Sequence, residues 1–198
     1  MWPVWSVTYV TGSTAVWAAI EVRQHGFDLQ AIESILIETS EFNKRVLADP
    51  EKWCPKTRET ADHSLPYNVV RALIDGDICL ESYSAERIGD PKALALMQRV
   101  VVQEDPQLTA LFPRHLANRV SVTLVDGTSF SSEVISGPGS VETPMTGADF
   151  SAKFRRMAAA HISSQSQEQV LAFVSDLESA TGYQQLFEAM ACNPSANA

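Results

Sequence analysis

Positive charge is scarce in this chain. Fifteen Lys and Arg stand against 24 Asp and Glu in 198 residues, a formal net charge of −9. General nucleic-acid binding needs a basic face to neutralise phosphates, so the balance argues against that class of function. Cysteine is scarce too. Cys54, Cys79 and Cys192 are an odd number, widely spaced, with no Cys-x-x-Cys pair. A disulfide framework, a zinc knuckle and an iron–sulfur cluster all call for more cysteines at closer spacing. Three free thiols in a reducing, cytoplasmic compartment are expected. Long apolar runs are missing as well. No residue before Glu21 is charged, but Ser6, Thr8, Thr11, Gly12, Ser13 and Thr14 break up the segment, and no basic stretch precedes it. A spanning helix wants about 20 mainly apolar residues, so neither a membrane span nor a signal segment is expected. The glycine signatures Gly-x-Ser-x-Gly, Gly-x-Gly-x-x-Gly and the phosphate loop are also missing. Gly137-Pro138-Gly139 has no following Lys and reads as a turn.

What remains is ordinary globular material, 45% hydrophobic and 20% charged, long enough to bury a core without staples. Residues 1–12 read as strand or loop. A helix from Ser13 places Val16, Trp17, Ile20 and Val22 on one side, and Gly26 stops it. Ile32–Thr39 is β-branched and partly alternating, so a strand is expected. A short helix at 41–48 ends at Asp49-Pro50, and Glu51–Thr60 reads as loop. Ser64 caps a helix to Asp75, with Pro66 in the first turn, where its missing N–H costs nothing. Asp90-Pro91 opens another helix by the same logic, and Val100–Val102 form a strand. Val120, Val122 and Leu124 alternate up to Asp126-Gly127, a hairpin signal returning through Phe130 and Val134. From Thr146, which with Asp149 forms a capping pattern, only helical periodicity is seen, at Phe150/Phe154/Met157, at Val170/Phe173/Val174/Leu177 and over 183–191. The expected fold class is therefore α+β. Helices pack on a small antiparallel sheet over 1–145, and a helical segment follows over 146–198.

The densest polar cluster is Lys56-Thr57-Arg58-Glu59-Thr60-Ala61-Asp62-His63-Ser64-Leu65-Pro66-Tyr67. It gathers two cations, two carboxylates, an imidazole and a phenol at a helix start, where backbone N–H groups favour an anion. If the first turn is helical, His63 and Tyr67, four apart, share a side. Between residues 44 and 71 six Lys and Arg face four Asp and Glu. That is a local +2 in a chain of −9, so the remainder carries −11. His25, His115 and His161 lie at helix ends or turns without a spaced partner, and no ligand role is assigned to them. Trp2, Trp5 and Trp17 read as packing residues.

These residues carry a resemblance. Asp49-Pro50-Glu51-Lys52-Trp53, with the run from Pro55 to Tyr67, closely resembles the MmgE/PrpD family of 2-methylcitrate dehydratases, cis-aconitate decarboxylase and an epimerase. Ala72-Leu73-Ile74-Asp75-Gly76, Val125-Asp126-Gly127, the Gly137-Pro138-Gly139 turn and Lys153-Phe154 follow in the family's order, and the resemblance covers about residues 13–190. It implies the lid domain and the closing helical segment of a longer protein. It also implies a lyase that needs no cofactor or metal and removes a proton beside a carboxylate of a small di- or tricarboxylate. Such chemistry needs a base, an acid and cations for the carboxylates. In the family most of the acid and base groups come from a helical domain and from a junction Lys and His. Met1–Trp5 offers no Lys here, and Thr11 or nearby residues stand for the His. By the resemblance Tyr67 matches an active-site tyrosine and, with His63, is a candidate catalytic residue. Arg58 and Lys56 are candidate carboxylate binders, Arg58 through its bidentate fork, and Ser64 joins them as a substrate-binding candidate.

Three readings follow. The chain is the lid-domain part of a 2-methylcitrate-dehydratase-like lyase, active with a separate helical-domain partner polypeptide or in a full-length context. Alternatively it is a carboxylate-binding or protein-interaction module without chemistry, or a remodelled isomerase or cyclase. In each, the apolar stripes of the last helices need cover, and self-association into a homodimer or larger is expected.

Overall fold

The computed structural model describes residues 12–191; the uncharged N-terminal segment, with Trp2 and Trp5, and Cys192 lie outside the described residues. The chain separates into two units, one reaching Thr143 and one starting at Pro144.

The first unit is built on helix α1 (Ser13–Arg23) and strand β1 (Ile32–Thr39). The one-sided helix expected from Val16, Trp17, Ile20 and Val22 is not what forms. Thr14 to Ile20 and Val22 are all buried, because α1 packs on β3 and β4 and also on α4. A helix apolar all round belongs between two layers. Its first turn is preceded by Gly12, and Ser13 is its first residue rather than its cap.

β1 alternates only partly for a structural reason. Its pairing with β3 slips between Ile32 and Ser34. This extra residue lets Ile32 and Ile35 both face inward ahead of Ile37 and Thr39. Helices α2 (Glu41–Leu47), α3 (Arg58–Asp62), α4 (Leu65–Asp75), α5 (Ala85–Ile88) and α6 (Pro91–Met97) lead to β2 (Val100–Glu104). β2 lies parallel to β1, which the long helical crossover makes possible. Helix α7 (Pro106–Leu111) then precedes the hairpin of β3 (Asn118–Leu124) and β4 (Ser129–Val134). The sheet order is β2-β1-β3-β4. The α+β layout holds, but the sheet expected to be antiparallel is mixed, because β2 arrives by crossover rather than by hairpin. At the hairpin Gly127 takes φ +84°, and the Asp126 side chain accepts from the Thr128 N–H at 2.8 Å.

The stretch 51–60, expected as loop, is partly helical. Pro50–Trp53 form a 3₁₀ turn. Thr57 and Thr60 cap α3 reciprocally: the Thr57 N–H donates to Thr60 Oγ1 at 3.0 Å, and the Thr60 N–H to Thr57 Oγ1 at 3.2 Å. A threonine thus does what Glu or Gln does in the usual capping box.

The second unit holds α8 (Gly147–Ala158), α9 (Ser164–Ser175) and α10 (Gln184–Met190). α8 opens on the reciprocal cap of Thr146 and Asp149 but buries none of its residues. Phe150, Met157, Val174, Leu177, Tyr183, Phe187 and Met190 are all exposed. No described helix is long and apolar enough to cross a membrane.

Candidate functional site

The segment from Lys56 to Tyr67 folds as a capped turn of helix running into the capped start of α4. Ser64 makes the second cap. It is fully buried, its hydroxyl donating to the Lys52 carbonyl at 2.5 Å and accepting from the Tyr67 N–H at 3.1 Å. The proton of that hydroxyl and one of its acceptor sites thus hold the loop to the helix.

Tyr67 lies in the core. Its hydroxyl donates to the Ser82 carbonyl at 2.6 Å, and its ring is tilted against Tyr83 with centroids 6.2 Å apart. Burial pushes its phenol up to about 12, against the pull of Arg71. Tyr83, buried by the same layer, is raised further, with burial again the main cause. His63 and Tyr67 do not share a helix side. His63 ends α3, outside the Ser64 cap, and Tyr67 turns inward from the first turn of α4. The His63 side chain stays 39% exposed.

At that exposed edge the imidazole is oriented by two acceptors, the neighbouring Asp62 carboxylate and the Glu59 carbonyl at 3.1 Å, both at Nδ1. A neutral ring that carries its proton on Nδ1 has its lone pair on Nε2. The same turn is pinned from inside. The Asn68 amide donates to the Asp62 carbonyl at 2.9 Å, and the Tyr83 hydroxyl donates to Asn68 Oδ1 at 2.7 Å. Asp62 belongs to the polar cluster legible in the sequence, whereas Asn68 and Tyr83 carry no local signal of their part in it. An Asn four residues after a cap gives no hint that its amide reaches back across it.

The structure also sorts the cations of the 44–71 window. Arg71 is fully buried and holds Asp75 and Asp90. Arg45 lies 3.8 Å from Glu41, and Lys52 lies 3.5 Å from Asp49. Lys56 and Arg58 are exposed. The Lys56 backbone N–H donates to Thr60 Oγ1 at 3.1 Å, while neither cationic head group forms a hydrogen bond or ion pair among the described residues. Arg58 and Asp62 stand four apart on α3, which puts them on one side. The segment therefore carries two exposed cations without a side-chain partner among the described residues and an oriented imidazole at the end of the short helix α3, groups whose chemistry suits holding a carboxylate and moving a proton. Among the described residues no group of three His, Cys, Asp or Glu could hold a metal ion.

Residues 6–179 match the MmgE/PrpD C-terminal domain, and the chain belongs to the MmgE/PrpD family. It is 27% identical to the cis-aconitate decarboxylase of Mus musculus over 166 residues, covering 81% of this chain and 33% of that protein. It is 31% identical over 134 residues to the 2-methylcitrate dehydratase of Cupriavidus necator, with 63% of this chain and 27% of the relative covered. The Salmonella typhimurium 2-methylcitrate dehydratase is 29% identical over 133 residues. The chain spans about a third or less of the length of these curated relatives.

Proposed function

We propose that the Lys56–Arg58–His63 edge is the carboxylate-binding wall of a dehydratase- or decarboxylase-like lyase of small di- and tricarboxylates. In this reading the reaction runs without a cofactor, and the remaining acid and base groups come from a helical domain, carried either by a partner polypeptide or by a full-length form of this chain. The observation that carries it is that Lys56 and Arg58, cations without a side-chain partner among the described residues, share with the His63–Asp62 pair a segment whose family relatives include a 2-methylcitrate dehydratase and a cis-aconitate decarboxylase.

Removing a proton next to a carboxylate adds a negative charge to those the ionised acid already carries, and part of it develops on that carboxylate. Arg58 takes that carboxylate in its fork, and Lys56 adds a point charge. His63, oriented by Asp62, accepts or returns the proton at Nε2. Ser64 and Tyr67 act from behind. Their bonds to Lys52 and Ser82 fix the start of α4 and so the angle at which His63 leaves the turn.

Two further features of the reading concern assembly and place. The exposed aromatic and aliphatic side chains of α8–α10 suit self-association into a homodimer or larger. The low cysteine content suits a cytoplasmic protein.

Calorimetric titration of the chain with citrate and cis-aconitate tests the reading. Saturable binding is expected, weakened at least tenfold by Arg58→Ala and several-fold by Lys56→Ala. No heat at millimolar acid, or binding indifferent to Arg58, would sink it. Because Ser64 and Tyr67 are committed inside the fold, a second reading has support: a carboxylate-binding module without chemistry. Binding of cis-aconitate with no change in its ultraviolet absorbance, even with a helical-domain partner supplied, would favour that one.

A further inference from the structure

A cleft on the first unit is lined by none of the residues of the 56–67 segment. It has a volume of about 550 Å³ and is walled by Arg114 and His115 on one side, the first turn of α1 on another, and the turn from Ser136 to Glu142 on the third. We propose that this cleft binds a small oxyanion, a carboxylate or phosphate group, through Arg114, His115 and Ser136.

The walls are built rather than incidental. Gly137 carries the turn directly onto α1. A Cβ there would stand 3.2 Å from Trp17 Cδ1 and 3.7 Å from Thr14 Cγ2, so a side chain at this position would have to push Trp17 aside by a few tenths of an ångström. From that anchor the turn folds back on itself. The Thr143 hydroxyl donates to the Gly137 carbonyl at 2.7 Å, and the Thr143 N–H donates to Ser140 Oγ at 3.1 Å. His115 is held with its side chain 19% exposed, its Nδ1 3.0 Å from Ser136 Oγ.

The cleft already keeps one oxyanion of its own. The Glu142 carboxylate approaches His115 Nδ1 to 3.9 Å. Hydrogen bonds from its own backbone N–H, Ser136 and Ser140, together with His115, hold that carboxyl below its ordinary range. The donors here thus stabilise a carboxylate. Arg114, exposed on the same wall, makes no ion pair or hydrogen bond with any described residue. An external carboxylate or phosphate meets Arg114 in its fork and competes with the Glu142 carboxylate for the Ser136 and His115 donors, so Glu142 weakens the binding.

Amide chemical shifts of the full chain, followed during titration with inorganic phosphate and separately with succinate, test the proposal independently of the 56–67 edge. Saturable shifts confined to residues 114–116 and 136–142 are expected, with a dissociation constant of about 10 mM or tighter. Arg114→Ala should weaken them at least fivefold, Glu142→Gln should tighten them several-fold, and Arg58→Ala should leave them unchanged. A response to phosphate but not to succinate, or the reverse, identifies which oxyanion the cleft prefers. Shifts in this region that ignore Arg114→Ala, or no saturable shifts with either anion, would overturn it.

Discussion

The Tyr67 hydroxyl donates to the Ser82 carbonyl at 2.6 Å, tying the first turn of α4 to the turn ahead of α5. This bond sits in the core, under the exposed edge that carries Arg58 and His63, and it makes the fold sensitive to alkali. Burial holds Tyr67 protonated up to about 12, against an ordinary 10.0, and raises Tyr83 as well. Above pH 10 the folded chain therefore binds more protons than the unfolded chain. Stability is fully present below pH 10 and falls as pH rises towards 12, by at most about 1.4 kcal/mol per pH unit for each tyrosine. Denaturant titrations at pH 8, 10 and 11 should show this fall. Tyr67→Phe should be about 1–2 kcal/mol less stable at pH 8, since it orphans the Ser82 carbonyl, and should lose part of the alkaline slope. An unchanged slope in the variant would contradict the assignment.

Arg71 gives a second prediction. Its side chain is fully buried, its Nη1 donates to Asp90 at 2.9 Å, and its Nε donates to Asp75 at 3.1 Å. Asp90 also caps α6 through the Lys92 N–H at 2.9 Å, so one guanidinium fastens α4 to α6. Arg71→Met should cost about 3 kcal/mol, near the low end for a broken buried pair, because both carboxylates keep some contact with water. Urea midpoints measure this, and a loss under 1 kcal/mol would show that the pair is replaceable.

The exposed second unit gives a third. If α8–α10 cover their apolar side chains by pairing with another copy, light scattering at micromolar concentration should report a dimer or larger. Phe187→Ser and Phe150→Ser, at side chains 70% and 59% exposed, should then shift the population towards monomer without lowering unfolding stability by more than about 0.5 kcal/mol. A strict monomer in the unaltered chain removes the proposal.

Much of the fold could be read locally. Asp90-Pro91, Ser64 with Pro66, and Asp126-Gly127 each fix an element through neighbours a few residues away, and each element forms where those residues put it. The places where sequence misled depend on distant partners. α1 looked one-sided only while its larger apolar residues were counted; Ala15, Ala18 and Ala19 make it apolar all round, but which sheet and helix cover its two faces is set by distant parts of the chain. The parallel placing of β2 depends on a crossover of some sixty residues, Ser40 to Arg99. At the site, residue types in the 56–67 run identified the chemistry on offer but not its orientation. Tyr67 and Ser64 carry polar groups that could serve a ligand, and only the positions of Ser82 and Lys52, from other turns, reveal that those groups are already engaged. For Lys56 and Arg58 the reverse holds, since their availability shows only once Arg45, Lys52 and Arg71 are seen to be paired elsewhere.

The α3 cap separates positioning from contact at the candidate site. Among the described residues the Thr57 hydroxyl bonds within its own turn, to Thr60, and with the Thr60 hydroxyl it closes the single turn that carries Arg58, Glu59 and Asp62. A helix of one turn has almost no cooperative reserve, so losing a cap worth about 1 kcal/mol should leave it largely frayed. Thr57→Ala should therefore weaken citrate binding several-fold although no cation is removed. The melting temperature should fall only slightly, because α3 buries a single residue, Ala61. Thr57→Ser, which keeps the hydroxyl, should restore both. If Thr57→Ala instead left affinity intact, Arg58 would be binding as a mobile charge rather than as an oriented fork, and Arg58→Lys would then be harmless. If the cap matters, Arg58→Lys should lose most of the affinity as well, because an ammonium cannot replace the two parallel N–H donors that the ordered turn aims.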